Sequence, residues 1–124
     1  MPRAENTRRL TFPKEKRLTH TTEFARVQSE GTKHHGRILM LGVLAPKDEK
    51  SFRTGFVTSK RVGKAVVRNR LRRRLREIVR TEQQRLRAGF WCVVIARPAA
   101  AQASYRALRD EWLHLAERAS ILAP

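Results

Sequence analysis

Ser59-Lys60-Arg61-Val62-Gly63-Lys64-Ala65-Val66-Val67-Arg68-Asn69-Arg70-Leu71-Arg72-Arg73-Arg74-Leu75-Arg76-Glu77-Ile78-Val79-Arg80 holds ten basic residues and one acid, Glu77. Ten bases against one acid leave +9, more than half of the chain's formal +17. Such a density repels itself in water and gains free energy against a polyanion, which makes nucleic acid the indicated partner. The same stretch carries an apolar stripe, Val67, Leu71, Leu75, Ile78 and Val79, spaced near the roughly 3.6-residue helical period. That spacing predicts a helix from about Ala65 to about Leu86, entered after Gly63 and stopped by Gly89. At about 100° per residue, Asn69, Arg73, Arg76 and Arg80 project opposite the stripe. Arg70 and Arg74 flank one of its edges, and Arg68 and Arg72 the other. One face packs on a sheet and the rest present guanidinium groups.

Arginine outnumbers lysine in this helix, and its planar fork bonds phosphate in a bidentate way and stacks on bases. A solvated face laced with intrahelical ion pairs is the ordinary explanation of a charge run, but Glu77 is the only acid within the segment. Asn69 has poor helix propensity and leaves two readings, a tolerated surface residue or an amide offering a donor and an acceptor to RNA or to a neighbouring side chain.

Outward from the helix, Ile38 to Leu44 is strand-like and apolar on both alternating faces. Ile38, Met40, Gly42 and Leu44 share one face; Leu39, Leu41 and Val43 share the other. Such a strand either lies between two layers or leaves one face for a ligand. Ala45 to Ser51 reads as a polar loop and Phe52 to Ser59 as a second strand, so the two strands are expected to form a hairpin. Phe90 to Ala96 is apolar enough to be central. The final segment, Ser104 to about Leu122, is an amphipathic helix with Tyr105, Leu108, Trp112, Leu115 and Ala119 on its core side. Upstream, Thr21 or Thr22 can cap a short helix that carries Phe24 and Val27 and exits at Gly31. Residues 1–20 show no sustained period and read as a flexible basic arm, leaving 21–124 as a single RNA-binding domain.

The chain's 124 residues suit one domain. No apolar run approaches the roughly 18 residues of a membrane span, and the first residues lack a signal peptide's apolar stretch. A single cysteine, Cys92, fits a reducing cytoplasm and an inert buried thiol. The acids are scattered, His34-His35 read as loop residues, and no phosphate-cradling glycine loop is present. No catalytic residue and no metal ligand is therefore expected in the polypeptide.

From Ser59 to Glu77 the chain resembles the signature of the bacterial ribonuclease P protein subunit. Arg68-Asn69-Arg70 matches the family's central Arg-Asn-Arg, preceded by Ser59-Lys60-Arg61-Val62-Gly63 and followed by Arg73 and Arg76-Glu77. Arg17-Leu18, Phe24, Gly31, Arg37, Arg53 with Gly55, and Val93-Val94-Ile95-Ala96-Arg97 extend the match in order. The resemblance implies an α/β (α+β-like) single domain: a four-stranded sheet with packed helices and a left-handed βαβ crossover around the arginine-rich helix. It implies a protein that joins a catalytic RNA and grips the 5′ leader of precursor tRNA. The RNA would hold the magnesium and carry the chemistry of endonucleolytic 5′ maturation.

By position, Lys60, Arg61, Lys64, Arg68, Asn69, Arg70, Arg72, Arg73 and Arg76 would meet the catalytic RNA or the leader's entry. Phe24, Met40, Gly42 and Leu44 would line the leader cleft, with Arg37 near its edge. The chain departs from the family at Gln28 and Gly42, where an aromatic is common. The alternative from another class is a structural RNA-binding protein such as a ribosome component.

Overall fold

In chain order the elements are α1 (Thr21–Glu30), β1 (Thr32–His35), β2 (Leu39–Leu44), β3 (Arg53–Val57), α2 (Ala65–Glu82), β4 (Trp91–Ala96) and α3 (Tyr105–Arg118). The structure is a computed structural model that describes residues 16–123. The strands form one sheet in the order β1-β2-β4-β3, with β1–β2 and β2–β4 antiparallel and β3–β4 parallel. The expected hairpin of β2 with β3 does not form, because β4 lies between them. The reason is in β4 itself: Trp91, Cys92, Val93, Val94 and Ala96 are all buried, so this strand takes a position with a neighbour on each side. Burial also pushes the Cys92 thiol up to about 12, as expected of an inert core cysteine. His34 and His35, read as loop residues, belong instead to the edge strand β1.

α2 occupies the crossover between the parallel strands β3 and β4. Gly63 leads into it with φ of 151°, a conformation that L side chains rarely adopt. Leu71, Leu75, Ile78 and Val79 of its stripe are buried, and Val67 packs beside them. The helix ends at Glu82 rather than near Leu86, and a 3-10 turn, Gln83–Arg85, follows. Buried Glu82 accepts hydrogen bonds from Arg85 (3.1 Å) and Arg109 (2.9 Å), joining the end of α2 to α3. The main core lies between the sheet, α2 and α3, around Leu39, Leu41, Leu75, Ile78, Val94, Leu108 and Trp112. Ser104 caps α3 by accepting from the Ala107 N–H at 3.0 Å.

The opposite sheet face carries a smaller cluster of Leu18, Val27, Trp91 and Val93 beneath α1. The cap of α1 is His20 rather than a threonine, because the Glu23 carboxylate reaches back to the N–H groups of Thr19 and His20, each at 3.1 Å. Of the expected flexible arm, residues 1–20, positions 1–15 lie outside the described residues. Its last part is packed: Leu18 is 4% exposed and donates its N–H to the Thr54 carbonyl at 2.8 Å. Arg17 forms a parallel bridge with Thr54, so the folded body begins before residue 21.

Candidate nucleic-acid interface

The polar surface of α2 divides into an outer ridge and a flank. Asn69, Arg70 and Arg73 are exposed on the ridge, and Lys60, Arg61 and Lys64 are exposed just before it. Arg68, Arg72 and Arg76, spaced by four, form a half-buried row along one flank. Arg68 Nε donates to the Gly63 carbonyl at 3.2 Å. Arg72 donates to Thr58 Oγ1 at 2.7 Å and to Asn69 Oδ1 at 3.2 Å, so the Asn69 amide has an intrahelical task. Arg76 and Arg80, expected opposite the stripe, are both half-buried. Arg80 Nε donates to Glu77 Oε1 at 3.0 Å, and that hydrogen bond holds the Glu77 carboxyl below its ordinary value. Arg74, on the other flank, reaches the Ala103 carbonyl at 3.4 Å.

A cavity of about 220 Å³ opens beside the flank row, lined by Arg17, Arg72 and Arg76 together with Phe24, Leu18 and Gly55. Burial lowers the Arg76 pKa, and the positive charges of Arg17 and Arg72 lower it further. Arg76 Nε is buried without a protein partner. Three arginines in the lining of one cavity favour an anion there, and the Phe24 ring in the same lining offers a stacking face.

Three rows of side chains cross the sheet face under α1. The middle row is Gly42, Val93 and Gly55. A Cβ on Gly42 would stand 3.0 Å from Val27 Cγ1, and one on Gly55 would stand 2.6 Å from Phe24 Cζ. The two glycines thus let α1 lie directly on the sheet, with Val27 over one and Phe24 over the other. On one side of the helix, Trp91 Nε1 donates to Glu49 Oε1 at 2.6 Å. The guanidinium carbons of Arg26 and Arg53 stand 5.3 and 5.5 Å from the Trp91 ring centroid. Arg53 also pairs with Glu23 at 2.8 Å. On the other side, Met40, Ile95 and Val57 are half-buried and form an apolar trough floor. Helical spacing turns Gln28 toward that side, away from Arg26.

Of the expected cleft residues, Phe24, Met40 and Leu44 share this sheet face, and Gly42 lies beneath α1 rather than in the open trough. Arg37 is placed elsewhere, beside a cavity of about 300 Å³ with Ile38, Ala103 and Glu111 on the α3 side of the sheet. The sequence reading missed Ile95 and Val57 as floor residues, because their meeting depends on the parallel β3–β4 register. It also missed Arg17 as a cavity residue; the Arg17-Leu18 pair was the available signal.

Partial burial of Glu23 disfavours its charged form, but hydrogen bonds from the His20 and Thr19 N–H groups and from Arg53 outweigh this and lower its pKa. A carboxyl lowered in the folded state contributes stability above its ordinary pKa of about 4.5 and loses that contribution as pH falls through the folded value. Glu23→Gln should therefore cost about 1–2 kcal/mol at neutral pH. The gap from wild type should narrow below about pH 4 in thermal unfolding; a gap constant with pH would mean that the charge contributes nothing.

Among the described residues, no group of three or more His, Cys, Asp and Glu side chains could hold a metal ion. No helix among the described residues is long and apolar enough to cross a membrane.

The family model for Ribonuclease P matches residues 12–120. A ribonuclease P protein component from Symbiobacterium thermophilum is 41% identical over 106 residues, covering 86% of this chain and 92% of that protein. The solved RNase P protein from Thermotoga maritima aligns with a TM-score of 0.74 at 28% identity, covering 82% of this chain and 96% of that one. The Staphylococcus aureus RNase P protein shares the fold, with a TM-score of 0.81 at 24% identity over 86% of this chain and 97% of that one. None of these findings favours a ribosome component.

Proposed function

The chain belongs to the ribonuclease P protein family, and from that membership we propose how its surfaces divide the work of the holoenzyme. It is the protein component of an endoribonuclease that pairs with ribonuclease P RNA in tRNA processing. The outer ridge of α2, with Lys60, Arg61 and Lys64 before it, docks on the catalytic RNA. The Arg68-Arg72-Arg76 row faces the junction between that RNA and the leader. The trough beside α1 takes the 5′ leader of precursor tRNA, with Phe24 offering a stacking face and Arg17, Arg72 and Arg76 receiving a phosphate.

The observation that carries this reading is the cavity lined by Arg17, Arg72, Arg76 and Phe24, where residues of the arginine helix and of α1 come together. Cations at that point relieve repulsion between two RNAs and so reduce the number of ions otherwise needed. Magnesium belongs to the RNA in this reading and supplies the Lewis-acid chemistry there; the chain's part is to bind and orient. A cytoplasmic location follows from the same reading.

The test is cleavage of a long-leader precursor tRNA at low magnesium by the RNA alone, the protein alone, and both. Activity with both only is the expected result. Cleavage by the protein alone would move the chemistry into the polypeptide, and tight RNA binding without any effect on cleavage would favour a structural role. Within the complex, Phe24→Ala should weaken precursor tRNA binding by about 1–3 kcal/mol with little change for mature tRNA. Equal losses for both would report damage to the seat of α1 on Gly55.

A further inference from the structure

Val66, in the first turn of α2, is 75% exposed and is the one exposed large hydrophobic among the described residues. It stands three, four and seven residues before Asn69, Arg70 and Arg73, on the same outer ridge, and exposed Lys64 and Ala65 adjoin it. A lone exposed apolar residue is common on protein surfaces and by itself means little. Two features set this one apart. Its neighbour Val67 packs on the core, whereas Val66 belongs to neither apolar cluster. As a β-branched residue it also serves the helix less well than alanine or arginine.

Phosphate offers an isopropyl group nothing, and the faces of stacked bases are hidden inside a duplex; the face of an unpaired base is apolar and accessible. We propose that Val66 packs against the face of an unpaired nucleobase in the catalytic RNA, so that the ridge recognises a particular RNA feature as well as phosphate. This rests on the functional reading above. It adds a contact whose strength is independent of salt to a surface whose other contacts are electrostatic.

The experiment is equilibrium binding of the full chain to the ribonuclease P RNA across a salt series, comparing wild type with Val66→Thr, Val66→Ala and Val66→Leu. Threonine keeps the shape and loses apolarity. Threonine and alanine should each weaken binding roughly 3- to 10-fold, with an unchanged slope of log affinity against log salt and unchanged thermal midpoints. Leucine should keep wild-type affinity. Chemical probing of the complex should show one unpaired nucleotide protected by wild type and exposed with the threonine variant. Wild-type binding with an unaffected threonine variant overturns this contact alone, as does a loss that tracks a lowered thermal midpoint. Failure of wild type to bind that RNA overturns the functional reading and this contact with it.

Discussion

Replacing Arg70 and Arg73 together by glutamate should lower affinity for the ribonuclease P RNA by about 100-fold near physiological salt, with a thermal midpoint close to wild type. Both side chains are exposed on the ridge of α2. Exposed charge changes away from packing and caps usually alter stability by less than about 0.5 kcal/mol. Against a polyanion the same exchange removes two phosphate contacts and adds two repulsions. The salt dependence should become shallower by up to about two units, since roughly 0.9 of a counterion is released per contact. Arg68 and Arg72 make a less clean pair, because they hold Gly63 and Thr58 in place and their loss would disturb the fold. An affinity loss under about threefold would place the RNA contact on another surface.

Leu75→Ala should give the complementary result. Leu75 is 0% exposed, mid-helix in the stripe that meets the main core. Its truncation should cost about 3–4 kcal/mol, a large share of the roughly 5–15 kcal/mol that holds a domain together. Measured well below the lowered melting point, RNA affinity should stay within a factor of about two, since the outer ridge is untouched. A large affinity loss in protein shown to be folded would mean that the two faces of α2 are mechanically coupled. Together the variants test whether one face of this helix serves the fold and the other the RNA.

The helices were legible because each buries one stripe at helical spacing. α2 and α3 start where their periodicity places them but end early, at Glu82 rather than near Leu86 and at Arg118 rather than near Leu122. Leu71, Leu75, Ile78, Val79, Leu108, Trp112 and Leu115 of the stripes are buried, whereas Tyr105 and Ala119 are half-buried and Ala116 takes a core place outside the expected stripe. The strand segments were legible too, but their pairing was not. A seven-residue polar loop between two apolar runs is the local signature of a hairpin, whereas the choice of β4 as the inserted neighbour depends on burial that local sequence does not encode. The site followed the same division. The cationic ridge could be read from charge and period, as could Phe24 from its place in the motif order. Met40 came with the motif order as well, but Ile95 and Val57 beside it on the trough floor did not, because three strands must first line up in register. Gly42 illustrates the limit: its missing side chain first reads as a lost aromatic, and the structure shows it making room for Val27.

The two tryptophans fall on opposite sides of the sheet. Trp91, 8% exposed, lies in the small cluster under α1, its indole N–H on a carboxylate and two guanidinium groups near its ring. Trp112, 0% exposed, lies in the main core, its indole N–H without a protein partner. One indole therefore senses a strong local field that changes when an anion approaches α1, while the other senses only whether the core is intact. The chain carries two native optical probes, one for the face that would take the leader and one for the fold that supports the arginine helix.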